Sequence, residues 1–444
     1  MTKARLLAAL AATTMVALGI APSASAASQV DFAAITATST FGQGIDVTEM
    51  AMLPDLVHRT EALIRIADDD TTQASDATVT RQSGWSVLDY HLAISPGDVI
   101  PNTVVHLQFR VTLTDGTVEL GPETDVRYED TRFDWQVLSG QIIRVHWAQG
   151  DQAFGQRAVA IGDKAIADAS ALLGVTETQP VDFFVYPDET SFRDVLGPAT
   201  REHVGGVAFP DIRTLFADIP PDQLNDPWVG IVVPHELTHL VFGTATKNPY
   251  HSPPHWLNEG LAVYLSQGFG SSDQDAVHQA ASAGTLMPLP SLNGQFPTEA
   301  DRFGLAYSES VSAIDFLIRT YGKPALVQLI RTYAQGLTDD ETFKAALGVD
   351  VAGFEAAWLK DLGAAEPTPF GPQPAPAGNV PADWGGAAAS PGAVAATPGA
   401  EAPAPLPTIL DLAAIAVGTA IVTLVVIGLI AVIVTRRRRS AGPG

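Results

Sequence analysis

The sequence predicts an α+β protein: an N-terminal β-sandwich-like part, then a small sheet followed by a succession of helices. Three observations lead there. Short alternating or apolar runs, separated by turn residues, fill residues 27–140. Mixed strand and helix patterns follow from 141 to about 216. From about 228 to 362 the apolar spacing is helical. A chain of 444 residues has room for two or three such domains.

Taken in order, residues 1–26 read as a secretory signal peptide. Lys3 and Arg5 supply the charged start, Leu6 to Ile20 the apolar run, and Ala24-Ser25-Ala26 the cleavage site. The β-sandwich-like domain is assigned to 27–140. Its strand candidates are Leu63–Ile66, Trp85–Ile94 and Val104–Leu113, and the last is followed by Asp115-Gly116 and Thr117–Leu120, a hairpin signal. His58, His91 and His106 lie scattered there, with no spacing that suggests a site.

Residues 141–362 form the second domain. Ile142–His146 and Val181–Tyr186 read as strands, and Phe154–Leu173 as a helix closing on Gly174. Val204–Phe216 is strand-like around Gly205-Gly206. Helices are expected at about 228–242, 255–266, 305–321, 324–335, 339–347 and 351–362.

Residues 363–407, rich in Ala, Pro and Gly, cannot bury a core and read as a disordered stalk. A transmembrane helix is expected at 408–435. Leu412–Val434 carries no charge over 23 residues, enough to cross a hydrocarbon layer of about 30 Å. Arg436 to Arg439 then begin a basic tail, 436–444, which the positive-inside rule places in the cytoplasm. The expected protein is single-pass in the cell membrane, with its N-terminal part extracellular.

Charge and cysteine content exclude several classes. Lys and Arg number 25 against 49 Asp and Glu, a net charge of -24. Six of the 25 sit at the two ends (Lys3, Arg5 and Arg436 to Arg439), so the rest is more acidic still and offers no basic footprint for a nucleic-acid partner. Cysteine is absent, which excludes disulfides, thiolate metal sites and cysteine nucleophiles together. Oligomeric state is not legible.

The chemistry-bearing constellation is His235-Glu236-Leu237-Thr238-His239. Residues at i and i+4 share one helix face, so both imidazoles reach one ion. Glu236, between them, lies where it can take a proton from a metal-bound water. A catalytic zinc site needs a third protein ligand and one open position. Glu259, in Trp256-Leu257-Asn258-Glu259-Gly260-Leu261-Ala262-Val263-Tyr264, is a glutamate in an otherwise apolar helix opened by Pro253-Pro254. Its burial is costly unless it is paired or holds a cation. Pro234 lacks a backbone donor, so the helix either begins near it or bends there.

These two motifs at this spacing resemble the gluzincin metallopeptidases, which share a thermolysin-like catalytic core, and within them the bacterial peptidase MA-type branch. The resemblance covers about residues 146–362. It implies one zinc ion per chain, held by His235, His239 and Glu259, with Glu236 as general base and Asn258 and Gly260 flanking the ligand glutamate. Tyr307, in Ala306-Tyr307-Ser308-Glu309-Ser310, is then a candidate donor to the oxyanion. Gly205-Gly206-Val207-Ala208 falls where such enzymes keep an edge strand that can pair with substrate backbone. The G-x-M-E-N motif of gluzincin aminopeptidases is absent, which favours an endopeptidase on peptide or protein substrates. His255, four residues before Glu259, is a candidate partner for it.

Two other readings fit the residues. A surface binding or adhesion protein would carry a structural or degenerate metal site, but such sites usually lose the glutamate of H-E-x-x-H, and Glu236 is present. A hydrolase acting on a non-peptide amide would use the same machinery.

Overall fold

The computed structural model describes residues 29–67, 71–197 and 205–367. The expected signal peptide, transmembrane helix and basic tail, and most of the expected stalk, fall outside them. Among the described residues no helix is long and apolar enough to cross a membrane.

The N-terminal part holds nine strands: β1 (Asp31–Thr40), β2 (Gly44–Met52), β3 (Val57–Ile66), β4 (Gln73–Asp76), β5 (Thr78–Arg81), β6 (Ser86–Ala93), β7 (Val104–Leu113), β8 (Val118–Leu120) and β9 (Thr124–Arg127). They form two antiparallel sheets, β1-β2-β6-β5 and β4-β3-β7-β8, with β9 also paired to β7. Alternation explains the packing. In β7 every second residue from Val105 to Leu113 is buried, and these meet Ile45, Val47 and Leu88 of the other sheet in one core. Glu49 breaks the pattern. It points inward from β2, fully buried, and neither of its carboxylate oxygens has a hydrogen-bond partner.

A third sheet holds β10 (Gln136–Ser139), β11 (Ile143–Trp147), β12 (Val181–Tyr186), β14 (Thr214–Asp218) and β13 (Gly206–Phe209), in the order β10-β11-β12-β14-β13. β11, β12 and β14 are parallel, and the outer two strands are antiparallel to their neighbours. This sheet therefore starts at Gln136, within the stretch assigned from sequence to the first domain. β10 is largely exposed, so it shows no apolar period that would separate it from the preceding strands.

The helix α1 (Gln152–Leu173) starts on Asp151, whose carboxylate accepts from the Phe154 N–H, and ends at Gly174 in the left-handed conformation. It packs on β11 and on α3 (Val229–Thr246). Between them lies α2 (Glu189–Leu196), a short helix without a sequence signal long enough to read. α4 (His255–Ser266) lies against α3 and α6 (Ala300–Tyr321). α5 (Ser271–Ala283) was not expected, because only Val277 and Ala280 are buried along it and its apolar stripe is too thin to see. α6 begins at Ala300 rather than 305, and α7 (Lys323–Tyr333), α8 (Asp339–Leu347) and α9 (Val351–Leu362) match expectation within two residues.

The two parts meet through Asn102, a non-glycine residue at φ +74°. Its side-chain amide donates to Asp182 Oδ2 at 3.0 Å and to Thr214 Oγ1 at 2.8 Å. Arg144 grips both oxygens of Asp182 at 2.7 and 2.6 Å, and His146 Nε2 lies 2.7 Å from Oδ1. Burial pushes the Asp182 carboxyl up, but these hydrogen bonds outweigh it and hold the group well below the usual carboxylate range.

Candidate metal centre

α3 runs continuously through Pro234, which settles the choice left open by the sequence. The proline sits in the second turn, where it removes one backbone donor. The following turns stay intact, and Thr238 Oγ1 donates to the Pro234 carbonyl at 2.8 Å. His235 and His239 therefore stand one above the other, ring centroids 4.7 Å apart and nearly perpendicular.

α4 brings Glu259 to them. Glu259 Oε2 lies 3.4 Å from His235 Nε2 and 3.7 Å from His239 Nε2. One ligand atom from each of the three residues falls within 4.8 Å of the others. The approach of α4 to α6 depends on Gly260, since a Cβ there would sit 2.4 Å from the Ser310 carbonyl oxygen. Asn258, which the sequence offered only as a flank of the glutamate, has a role of its own. Its Oδ1 lies 2.9 Å from His239 Nδ1. An amide oxygen only accepts, so Nδ1 carries the proton and Nε2 turns its lone pair toward the other ligands.

All four residues of the constellation are buried: His235, Glu236, His239 and Glu259 are each 3% exposed or less. Burial pulls the His235 imidazole down to about 3. It pulls His239 down to about 4, against the opposing charge of Glu259. Both rings are thus neutral at physiological pH, the form that binds metal. Burial, and then the charge of Glu259, push Glu236 well above the ordinary range.

The donor set fits zinc. Both ring nitrogens of His235, Nε2 of His239, both oxygens of Glu259 and Oε2 of Glu236 are buried and have no hydrogen-bond partner among the described residues. Such a concentration of orphaned donor atoms is costly, and a divalent cation bound by two imidazoles and a carboxylate resolves it.

Glu236 lies beneath β13, the outermost strand of its sheet among the described residues. A Cβ at Gly206 would fall 2.7 Å from Glu236 Oε1 and 3.1 Å from its Cγ and Cδ. Only glycine allows the strand this close. Tyr307 is buried on α6, with its ring edge-on to Phe296 at 5.0 Å and tilted against Phe303 at 5.1 Å. Phe296 in turn packs on His255 at 4.5 Å.

Elsewhere, His106, Glu123 and Asp125 also gather within 4.8 Å, which their sequence spacing did not suggest. Both acids are exposed and Arg65 pairs with Glu123 at 3.3 Å, so the group reads as a surface charge cluster.

Fold and site together present a candidate metal centre, with H-E-x-x-H on one helix and Glu259 on the next. Residues 161–364 match the family model described as the Peptidase MA superfamily. The chain is 24% identical over 233 residues to Aminopeptidase M1-A of Oryza sativa subsp. japonica. That match covers 51% of this chain and 25% of the rice protein, so the chain spans about a quarter of that relative's length. Among solved structures, an aminopeptidase N family protein of Idiomarina loihiensis is 11% identical with a TM-score of 0.37, over 75% of each chain. The M1 zinc metallopeptidase of Deinococcus radiodurans is 14% identical with a TM-score of 0.34, over 79% of this chain and 97% of its own.

Proposed function

We propose that the protein is a membrane-anchored, extracellular zinc metallopeptidase that cuts within peptide chains. The observation that carries the reading is the convergence of His235, His239 and Glu259 with Glu236 buried beside them and set against an edge strand. When bound, zinc supplies a Lewis acid and lowers the pKa of a water near it.

The chain's own residues do the rest. Asn258 holds the tautomer of His239. Glu236 takes the proton of the attacking water on its carboxylate and returns it to the leaving amine. The Tyr307 hydroxyl donates to the oxyanion. β13 pairs with the substrate backbone along its open edge and so places the scissile carbonyl over Glu236.

Cleavage inside chains is supported by β13 itself. It reads Gly206-Val207-Ala208-Phe209 and carries no carboxylate to hold a free amino terminus. The named aminopeptidase relatives point the other way, and substrate choice decides between them. Peptides with acetylated amino termini should be cut by the zinc-loaded protein as readily as free ones. Cleavage confined to unblocked peptides, one residue at a time, refutes the endopeptidase reading.

Anchoring is supported by the uncharged Leu412–Val434 stretch and the arginines that follow it. A tag after Gly444 should resist protease on intact cells, and its digestion there refutes the orientation.

A further inference from the structure

The two oxygens of Glu259 face different partners. Oε2 faces the Nε2 atoms of both ligand histidines, at 3.4 and 3.7 Å. Oε1 faces His255 Nε2 at 3.5 Å. His255 is the first residue of α4, one turn before Glu259, and its side chain is 10% exposed. Its ring is set from two sides. The backbone N–H donates to the Asn293 carbonyl at 3.0 Å, and Phe296 packs on the imidazole at 4.5 Å with Tyr307 behind it.

We infer that His255 is a positioning residue: its Nε2 side holds Oε1 of Glu259 away from the metal, so the carboxylate binds through Oε2 alone. The inference rests on the metal centre proposed above. A carboxylate can bind a cation through one oxygen or two. A catalytic zinc site with three protein ligands must keep its fourth position open. With two-oxygen ligation, Oε1 would fill that position. With His255 replaced by an apolar side chain, Oε1 loses the imidazole that faces it at 3.5 Å, and the favourable escape of this buried oxygen is onto the metal. Groups that orient a ligand in this way typically change metal affinity or activity 10–100-fold when removed.

The test uses the purified full-length protein, loaded with cobalt in place of zinc, and the variants His255→Phe, His255→Asn and His255→Gln. The visible absorption of cobalt reports its coordination number, whatever the turnover. Asn is too short to reach Oε1, whereas Gln places an amide donor near the position of Nε2. His255→Phe and His255→Asn should shift the cobalt spectrum toward higher coordination, lower kcat roughly 10–100-fold with little change in KM, and alter zinc affinity measured by chelator competition. His255→Gln should restore the wild-type spectrum. If His255→Phe fails to fold, His255→Asn carries the same test. A wild-type cobalt spectrum and zinc affinity in folded His255→Asn overturn the inference. A wild-type protein that takes up neither cobalt nor zinc overturns the metal centre itself, and the positioning role with it.

Discussion

Replacing Gly206 with alanine puts a methyl group 2.7 Å from Oε1 of Glu236 and 3.1 Å from its Cδ and Cγ. Carbon and oxygen in contact need roughly 3.4 Å or more, so the carboxylate must retreat by about 0.5–1 Å or β13 must lift by as much. Gly206 does not have a left-handed φ, so alanine meets no backbone strain and the close approach is the whole effect. A displacement of about 1 Å at a reacting group lowers turnover up to about 100-fold. We therefore expect kcat to fall roughly 10–100-fold, about 1.4–2.7 kcal/mol in the barrier. Overpacking should lower stability by about 1–3 kcal/mol. Zinc per chain should stay at the wild-type level, since Glu236 is not among the three grouped ligands. The assay is kcat and KM on a fluorogenic peptide, with metal analysis and a urea melt on the same preparation. A Gly206→Ala protein with wild-type kcat refutes the idea that this glycine exists to seat the base.

Three further outcomes follow from the structure. Gly260→Ala drives a Cβ to 2.4 Å from the Ser310 carbonyl, so α4 must move from α6; melting should drop by an amount equivalent to about 1–3 kcal/mol and zinc affinity should weaken with it. Asp182→Ala strands Arg144, His146 and Asn102, and should lower urea stability by about 2–4 kcal/mol with zinc content unchanged; wild-type stability would mean the two parts are held by other contacts. Burial pushes the Glu49 carboxyl up to about 7, so its neutral form is the stable one: that stability is complete below the unfolded value of about 4.3 and is lost as pH rises through about 7. Glu49→Gln, which cannot ionise, should therefore gain on wild type as pH rises from about 4 to about 7, by up to about 3–4 kcal/mol, and parallel pH–stability curves for the two proteins would refute this.

The grouping of His235, His239 and Glu259 was legible because its signals are local. Two histidines four apart need only a helix to meet, and the Trp256–Tyr264 run announced both a helix and a glutamate that had no apolar reason to be there. α6, α7 and α9 were legible because their buried stripes are wide. What stayed hidden depends on contacts far apart in the chain. Asn102 and Asp182 are 80 residues apart, and nothing in either neighbourhood marks the bond. The burial of Glu49 follows from its inward place in β2, visible only once the strand register is known. Gly206 read only as part of an edge strand, and its constraint comes from a side chain on another element. α5 and β10 escaped because their exposed residues carry no clear period. Pro234 left a start and a bend both open, and the packing of α3 on α1 and β13 carries the helix through it.

The central claim is that Glu236 moves the proton while His235, His239 and Glu259 hold the metal. Glu236→Gln keeps the size of the side chain and its hydrogen-bonding reach but cannot accept a proton at neutral pH. The decisive measurement is the turnover of zinc-loaded Glu236→Gln against zinc-loaded wild type on a peptide that the wild type cleaves. Turnover should fall by about 10²–10⁴-fold, as expected for loss of a general base, at an unchanged ratio of about one zinc per chain. A Glu236→Gln protein that holds its zinc and turns over at the wild-type rate contradicts the account.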